Sequence, residues 1–415
     1  MIERITILGG SSVYIPEFVQ SVIHRNVNVK EIVLYGRKGR KLPVVADFCQ
    51  RLFKRSGLPT TVTPSTKLEE AVKEATYIIN HVRVGGMEAR LRDETLPLKA
   101  GMIGDEALGA GGLACALRTL PVVFEFGRVL EKVNPGATII NLTNPQSVVV
   151  EALTRRTDLR VIGACNLPAA YAPKVAGLLR CPPDHIDIDY IGLNHMGWIQ
   201  DIRVNGSSCM IQFLERLETS AQNGFDKGLV ELFRMVPTLR AGIYFHQDKV
   251  LKNQKGCARF RAQVLQEAEG EILELYADKH LTEIPELTRR RNAEWYDGTI
   301  TPLLQALEDK KEHGHIVCIR NDGAVRDLPN DGSIEIPAKV SSEGVRARHV
   351  GSCPRFLKGL YCMLKESDRL ILEAVRRQSY ETALQAFAIN PFVPSVEGAR
   401  HFLDMLTQEE PVDLH

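Results

Sequence analysis

The sequence predicts an α/β protein in which helices cover both faces of a parallel sheet. Three observations lead there. Over roughly the first 165 residues, apolar β-branched runs alternate with helix-length segments, the order expected of a parallel sheet with crossover helices. The first run passes through two glycines into a helix that opens near a proline. Polar residues that stand out, among them Asn144 and Cys165, fall at the ends of such runs. Ligands of these sheets bind at the carboxyl ends of the strands, so the strand-end residues are expected to share one crevice.

The elements follow in order. "RITILGG" (4–10) reads as the first strand, and a helix follows from Pro16, a residue suited to a helix start. "KEIVLYG" (30–36) is the second strand, followed by a helix through "LPVVADFCQRLF". "TTVTP" (60–64) and "ATYIINHV" (75–82) are the third and fourth strands. A glycine-rich loop is expected from Val84 to Gly112, then a helix through "LRTLPVVFEFGRVLEKV". "ATIINLTNP" (137–145) and, after another helix, "LRVIGACN" (159–166) complete the series. The pattern changes near residue 183, where "IDIDYIGLNH" and "WIQDIRVNG" read as neighbouring strands. Long helices are expected over 261–277 and 355–377, with strands in "GHIVCIRNDG" (314–323) and "GSIEIPAKV" (332–340) between them.

A chain of 415 residues is long for one core and suggests two domains, placed at 1–166 and 167–415. Hydrophobic content of 44% and charged content of 25% are ordinary for a globular protein. A net charge of +1 gives no electrostatic reason to expect nucleic acid or an anionic membrane as partner. No apolar run reaches the ~18 residues of a membrane span, and the N-terminus enters a strand without a signal-like segment. Nine cysteines, scattered singly, argue against a disulfide framework. A reduced, cytoplasmic setting is expected, where a thiolate can ligate metal.

Each motif has two readings. In "LGGSSVYIPEF", Gly9, Gly10, Ser11 and Ser12 either cradle a pyrophosphate at a helix N-terminus or make a tight strand–helix turn. The second strand ends in Gly36-Arg37-Lys38, where NAD sites carry an acid for the ribose hydroxyls. The basic pair either holds a 2′-phosphate, so that NADP is possible, or is a solvated helix start. Cys165 and His195 are either a thiolate–imidazole metal pair or core residues. Asn144 faces the crevice or caps a helix before Pro145. Arg83, Arg90 and Arg92 either hold an anion by bidentate bonds or pair with Asp93 and Glu94 on a surface loop.

Taken together the motifs resemble those of glycoside hydrolase family 4. That family's order is GGGS-x-YTPE, VGG-x-x-x-R-x-x-DE, IGQE-x-x-G-x-GG, N-x-TNP, G-x-C-[ND]-x-P and GLNH. This chain has "GGSSVYIPE", "VGGMEARLRDE", "IGDEALGAGG", "NLTNP", "GACNLP" and "GLNH" in that order. The resemblance implies a Rossmann-type sheet with a C-terminal α+β domain like that of lactate and malate dehydrogenases. It implies NAD, Mn²⁺ or another divalent metal on Cys165 and His195, and cofactor contacts at Gly9, Gly10, Ser11, Ser12, Arg37 and Arg83. Substrate contacts carry over to Arg90, Asn144 and the phosphate-binding Arg261. Asn166, after the Cys, is the choice of the 6-phospho-β-glucosidases. The implied reaction uses no carboxylate pair: C3 oxidation, loss of the C2 proton, elimination of the aglycone, addition of water and re-reduction, with the metal as Lewis acid. The implied partners are a phosphorylated disaccharide or aryl glucoside and a second copy of the chain, as homodimer or homotetramer.

The chain departs from that pattern in three places. The family's proton-abstracting Tyr, in a segment like P-x-YLRYYY, falls here on Ala241, or on Arg240 with a one-residue gap, in "VPTLRAGIYFHQ". Tyr244, a helical turn on, is the substitute base expected here, with His246 a second candidate. "TRRRNAEWYDG" stands where RGG is usual, and the ribose acid near Gly36 is missing. The alternative is a degenerate member that binds cofactor and sugar phosphate without turnover, or a glycosidase of altered sugar specificity.

Overall fold

The computed structural model describes residues 1–220, 224–291, 295–410 and 412–415. Its larger sheet begins with β1 (Ile2–Leu8), β2 (Val29–Tyr35), β3 (Thr61–Ser65), β4 (Tyr77–Asn80), β5 (Thr138–Asn141) and β6 (Arg160–Gly163). These six are parallel and lie in the order β3-β2-β1-β4-β5-β6, the doubly wound order of dinucleotide-binding sheets. Alternation along the strands explains the two helical layers. Ile5, Ile7, Ile79 and Ile140 pack with Phe18 of the helix Ile15–His24 and Phe48 of the helix Lys41–Ser56. Leu8, Ile78 and Ile139 face the other way, against Phe126 of the helix Gly109–Val133 and Val149 of the helix Gln146–Arg156.

A smaller sheet holds β7 (Ile186–Ile191), β8 (Trp198–Val204), β9 (Ser207–Ser208) and β10 (Val236–Pro237). The main sheet is then extended by β11 (His313–Arg320), β12 (Ser333–Ser341) and β13 (Gly344–Ala347), all antiparallel, with β11 joined to β6 at Cys318 and Gly163. The chain thus returns to the strand that ends at Cys165. The turn between β7 and β8, which carries Asn194 and His195, is tied down by Tyr361, whose hydroxyl donates to the Met196 carbonyl at 2.5 Å. Trp198, directly after it, packs edge-on to Phe233, Phe245 and Phe356.

One expectation fails. The stretch from Val84 to Gly112 is not a continuous loop: Gly86–Lys99 is a helix, so Arg90 and Arg92 are helical residues. The helix was hard to see because two acids share its inward face with Ala89, Leu96 and Pro97 and break the apolar stripe. Asp93 and Glu94 are buried, and the helix is held by ion pairs from Arg118 to Asp93 and from Arg92 to Glu410.

A second buried charge cluster lies under the main sheet. Lys365 is 1% exposed and pairs with Glu151, which is fully buried; Ser147 and Ser333 accept from the ammonium at 3.2 and 3.1 Å. Removing one partner of such a pair strands the other charge. Lys365→Met is therefore expected to lower the unfolding free energy by about 3–5 kcal/mol, measured by urea denaturation. A loss below about 1 kcal/mol, the range of exposed pairs, would contradict the burial of the pair.

Candidate active site

β1 runs out into Gly9-Gly10, whose amides both donate to the Tyr35 carbonyl, at 3.0 and 2.8 Å. Gly9 has φ +89°, and a Cβ there would stand 2.5 Å from the His81 carbonyl oxygen; one on Gly10 would stand 2.6 Å from the Leu34 Cβ. Only glycine fits such a turn. Ser11 and Ser12 lead on to the helix Ile15–His24, which has Pro in its first turn; Ser12 Oγ accepts from the Tyr14 amide at 3.3 Å. A bare turn opening on a helix N-terminus lets phosphate oxygens approach the backbone, so this end of the sheet fits the diphosphate of a dinucleotide. Arg37 and Lys38 follow β2 and are exposed.

Beyond β4 and β5 the expected residues converge on one carboxylate. Glu106, 6% exposed, pairs with Arg83, meets Arg90 Nη1 at 3.2 Å and accepts from Asn144 Nδ2 at 3.5 Å. Burial works against its charge, yet Arg83 and Arg90 hold its carboxyl down at about 2, with a smaller contribution from His195. Arg90 Nε also donates to Glu94 at 2.8 Å, and Glu94 in turn accepts from the Ala262 amide at 2.9 Å. That bond fixes the start of the helix Arg261–Ala277 beside Arg90. Arg261 itself is exposed and donates to the carbonyls of Arg290 and Arg291, so no acid neutralises it there.

Cys165 follows β6 and His195 follows β7; both are buried, at 3% and 7% exposure. Burial, and after it the Glu335 carboxyl, push the Cys165 thiol up to about 12. Burial pushes the His195 imidazole down to about 4, so at neutral pH the ring carries a free lone pair, the form that binds metal. His195 adopts φ +68°, and its Nδ1 is buried without a hydrogen-bond partner. An orphaned buried nitrogen on a strained residue fits a metal ligand. Asn166 begins the short helix Asn166–Ala169 directly after Cys165.

The segment of the expected base is resolved residue by residue. Ala241 is fully buried in the core and offers no polar atom. Arg240, the cap of the helix Ala241–Phe245, pairs with Asp105, the neighbour of Glu106. Burial, with Arg90 close by, pulls its guanidinium down to about 10; it remains a cation at neutral pH. Tyr244 is half-buried, its ring 5.1 Å from Phe245 and 5.5 Å from Phe392. His246 points elsewhere, 2.6 Å from Asp226. Asn292 to Glu294 of "TRRRNAEWYDG" lie outside the described residues.

Three acids escaped the sequence reading. Asp105 and Glu106 stand in "IGDEALG", and Glu335 stands in "GSIEIP". A charge within an otherwise apolar strand was the available signal for Glu335, which is 1% exposed and whose carboxyl burial pushes up to about 7.

The family 4 glycosyl hydrolase pattern matches residues 4–181, and that of the family's C-terminal domain matches residues 190–393. A probable 6-phospho-β-glucosidase of Bacillus subtilis is 31% identical over 98% of this chain and 96% of its own. The solved 6-phospho-β-glucosidase of Thermotoga maritima with manganese, NAD⁺ and glucose-6-phosphate superposes with a TM-score of 0.90 at 30% identity, over 99% of each chain. Lactate dehydrogenase of Eimeria maxima, at 15% identity and a TM-score of 0.54 over 91% of this chain and 96% of its own, shares the fold alone.

Proposed function

The chain belongs to the family 4 glycosyl hydrolases, and from that premise we propose that it hydrolyses 6-phospho-β-glucosides with NAD and a divalent ion. The observation that carries this reading is the convergence of Arg83, Arg90 and Asn144 on Glu106. A cofactor-side arginine and two substrate-side groups share one acid. When bound, NAD supplies reversible hydride chemistry and the divalent ion supplies Lewis acidity. The chain supplies the rest. Arg90 and Asn144 orient sugar hydroxyls, and Arg261 takes the phosphate. Cys165 and His195 hold the ion, with Asn166 against the reacting carbons. Tyr244 accepts the C2 proton beside the Arg240 cation.

A second reading, binding of cofactor and sugar phosphate without turnover, is favoured by one observation: Arg240 and Asp105 form a closed pair where the family's proton acceptor is expected. A panel of nitrophenyl 6-phosphoglycosides, α and β, gluco and galacto, with Mn²⁺, NAD⁺ and reductant separates the two. Release of nitrophenol from the β-gluco compound is the expected result. Silence across the panel with intact binding selects the second reading.

The cofactor choice follows from charge. The second strand ends without an acid, and Arg37 and Lys38 are exposed there. NADP is expected to bind at least as tightly as NAD in a fluorescence titration. Tighter binding of NAD by about tenfold, or about 1.4 kcal/mol, would overturn this.

A further inference from the structure

Glu335 lies on β12 with its side chain fully inside the protein, and its contacts are specific. Its carboxylate accepts from the Tyr190 hydroxyl at 2.6 Å and from Asn194 Nδ2 at 2.8 Å. Its own amide donates to the Gly192 carbonyl at 2.7 Å, which ties β12 to the turn that carries His195. Gly197 leaves room for this arrangement: a Cβ there would stand 1.6 Å from the Tyr190 hydroxyl oxygen. No cation pairs with Glu335 among the described residues. A buried carboxylate held only by neutral donors is costly, so packing alone does not account for it.

The Asn194 amide donates to Glu335, and the next residue is His195. The Glu335 oxygens, which accept from Tyr190 and Asn194, fix which way this amide faces: turned over, its own oxygen would meet a Glu335 oxygen.

We propose that Glu335 is a positioning residue for the metal site: through Asn194 and the Gly192 carbonyl it fixes the turn from which His195 projects. This rests on the reading that Cys165 and His195 hold the ion. Outer groups of this kind orient ligands, and their loss weakens metal binding by about 10- to 100-fold. Glu335 needs no contact with the ion, with substrate or with cofactor for this effect.

The test is a Co²⁺ titration of the metal-free full chain, followed by thiolate-to-metal charge-transfer absorption. Cys165→Ser should abolish the band; a band that persists rejects Cys165 as ligand, whatever Glu335 does. Glu335→Met removes the acceptor from both donors at similar volume; Gln would not serve, because the Tyr190 hydroxyl can turn and accept from its amide. It should keep the circular dichroism of the parent and lose about 10- to 100-fold in Co²⁺ affinity. Asn194→Ala should lose a similar amount, and the double variant should lose no more than the larger single loss, because the two act through one contact. Unchanged affinity in Glu335→Met, or losses that multiply in the double variant, would overturn the proposal. Should Glu335→Met fold poorly, Asn194→Ala alone decides: parent-like affinity there removes the link between Glu335 and the metal site.

Discussion

His195→Ala is expected to reduce Mn²⁺-dependent turnover by more than about a hundredfold, since the loss of a ligand should exceed the 10- to 100-fold typical of outer groups. NAD binding should hold within about threefold, well under 1 kcal/mol. The contrast follows from placement. The proposed dinucleotide cradle lies at the Gly9-Gly10 turn after β1, whereas His195 stands on the turn after β7. The imidazole is neutral at working pH because burial suppresses its protonation, and its Nδ1 has no partner among the described residues. A core histidine would normally bond both nitrogens or leave one in water. Folding is not expected to suffer, because Ala relieves a nitrogen left without a bond. Turnover and Mn²⁺ affinity both near those of the parent would show that His195 is a packing residue and that the metal site lies elsewhere.

The sequence made the parallel sheet legible because two physical signals coincide there. Strands buried on both faces are short apolar runs, and their ends carry residues that have no reason to be in a core. Gly9-Gly10, Asn144, Cys165 and His195 could be found in that way. The helix Gly86–Lys99 could not, since Asp93 and Glu94, paired with arginines, interrupt the apolar stripe that Ala89, Leu96 and Pro97 begin. Glu106 shows a different limit. Its importance lies in having Arg83, Arg90 and Asn144 around it, and those contacts exist only once three separate segments have folded together. The pairing of β11 with β6 is also non-local, and nothing in the run "GHIVCIRNDG" states which edge it will join. Sequence spacing also left open whether Ala241 or Arg240 stands at the base position. Burial answers part of that: Ala241 is in the core, while Arg240 bonds Asp105.

Tyr244→Phe is expected to slow exchange of deuterium at substrate C2 by about 10²- to 10⁴-fold, the usual worth of a positioned proton acceptor. The reasoning starts from Arg240. It caps the helix Ala241–Phe245, so Tyr244, four residues on, lies on the same helical face. Asp105 fixes the guanidinium, and the other Asp105 oxygen accepts from the amides of Ala107 and Leu108, at 2.8 and 3.2 Å. That acid is thus fully engaged and is a poor proton acceptor itself. The Tyr244 ring rests on Phe392, which abuts Gly109, where a Cβ would stand 3.0 Å from the Phe392 Cβ. Tyr244 is therefore packed beside the loop that carries Asp105 and Glu106, with its ring direction set by Phe245 and Phe392. Hydride transfer precedes proton loss, so reduction of bound NAD⁺ by substrate should survive in Tyr244→Phe. Exchange at the parent rate in Tyr244→Phe, with NAD⁺ still reduced, would make Tyr244 a packing aromatic and leave the proton to another acceptor.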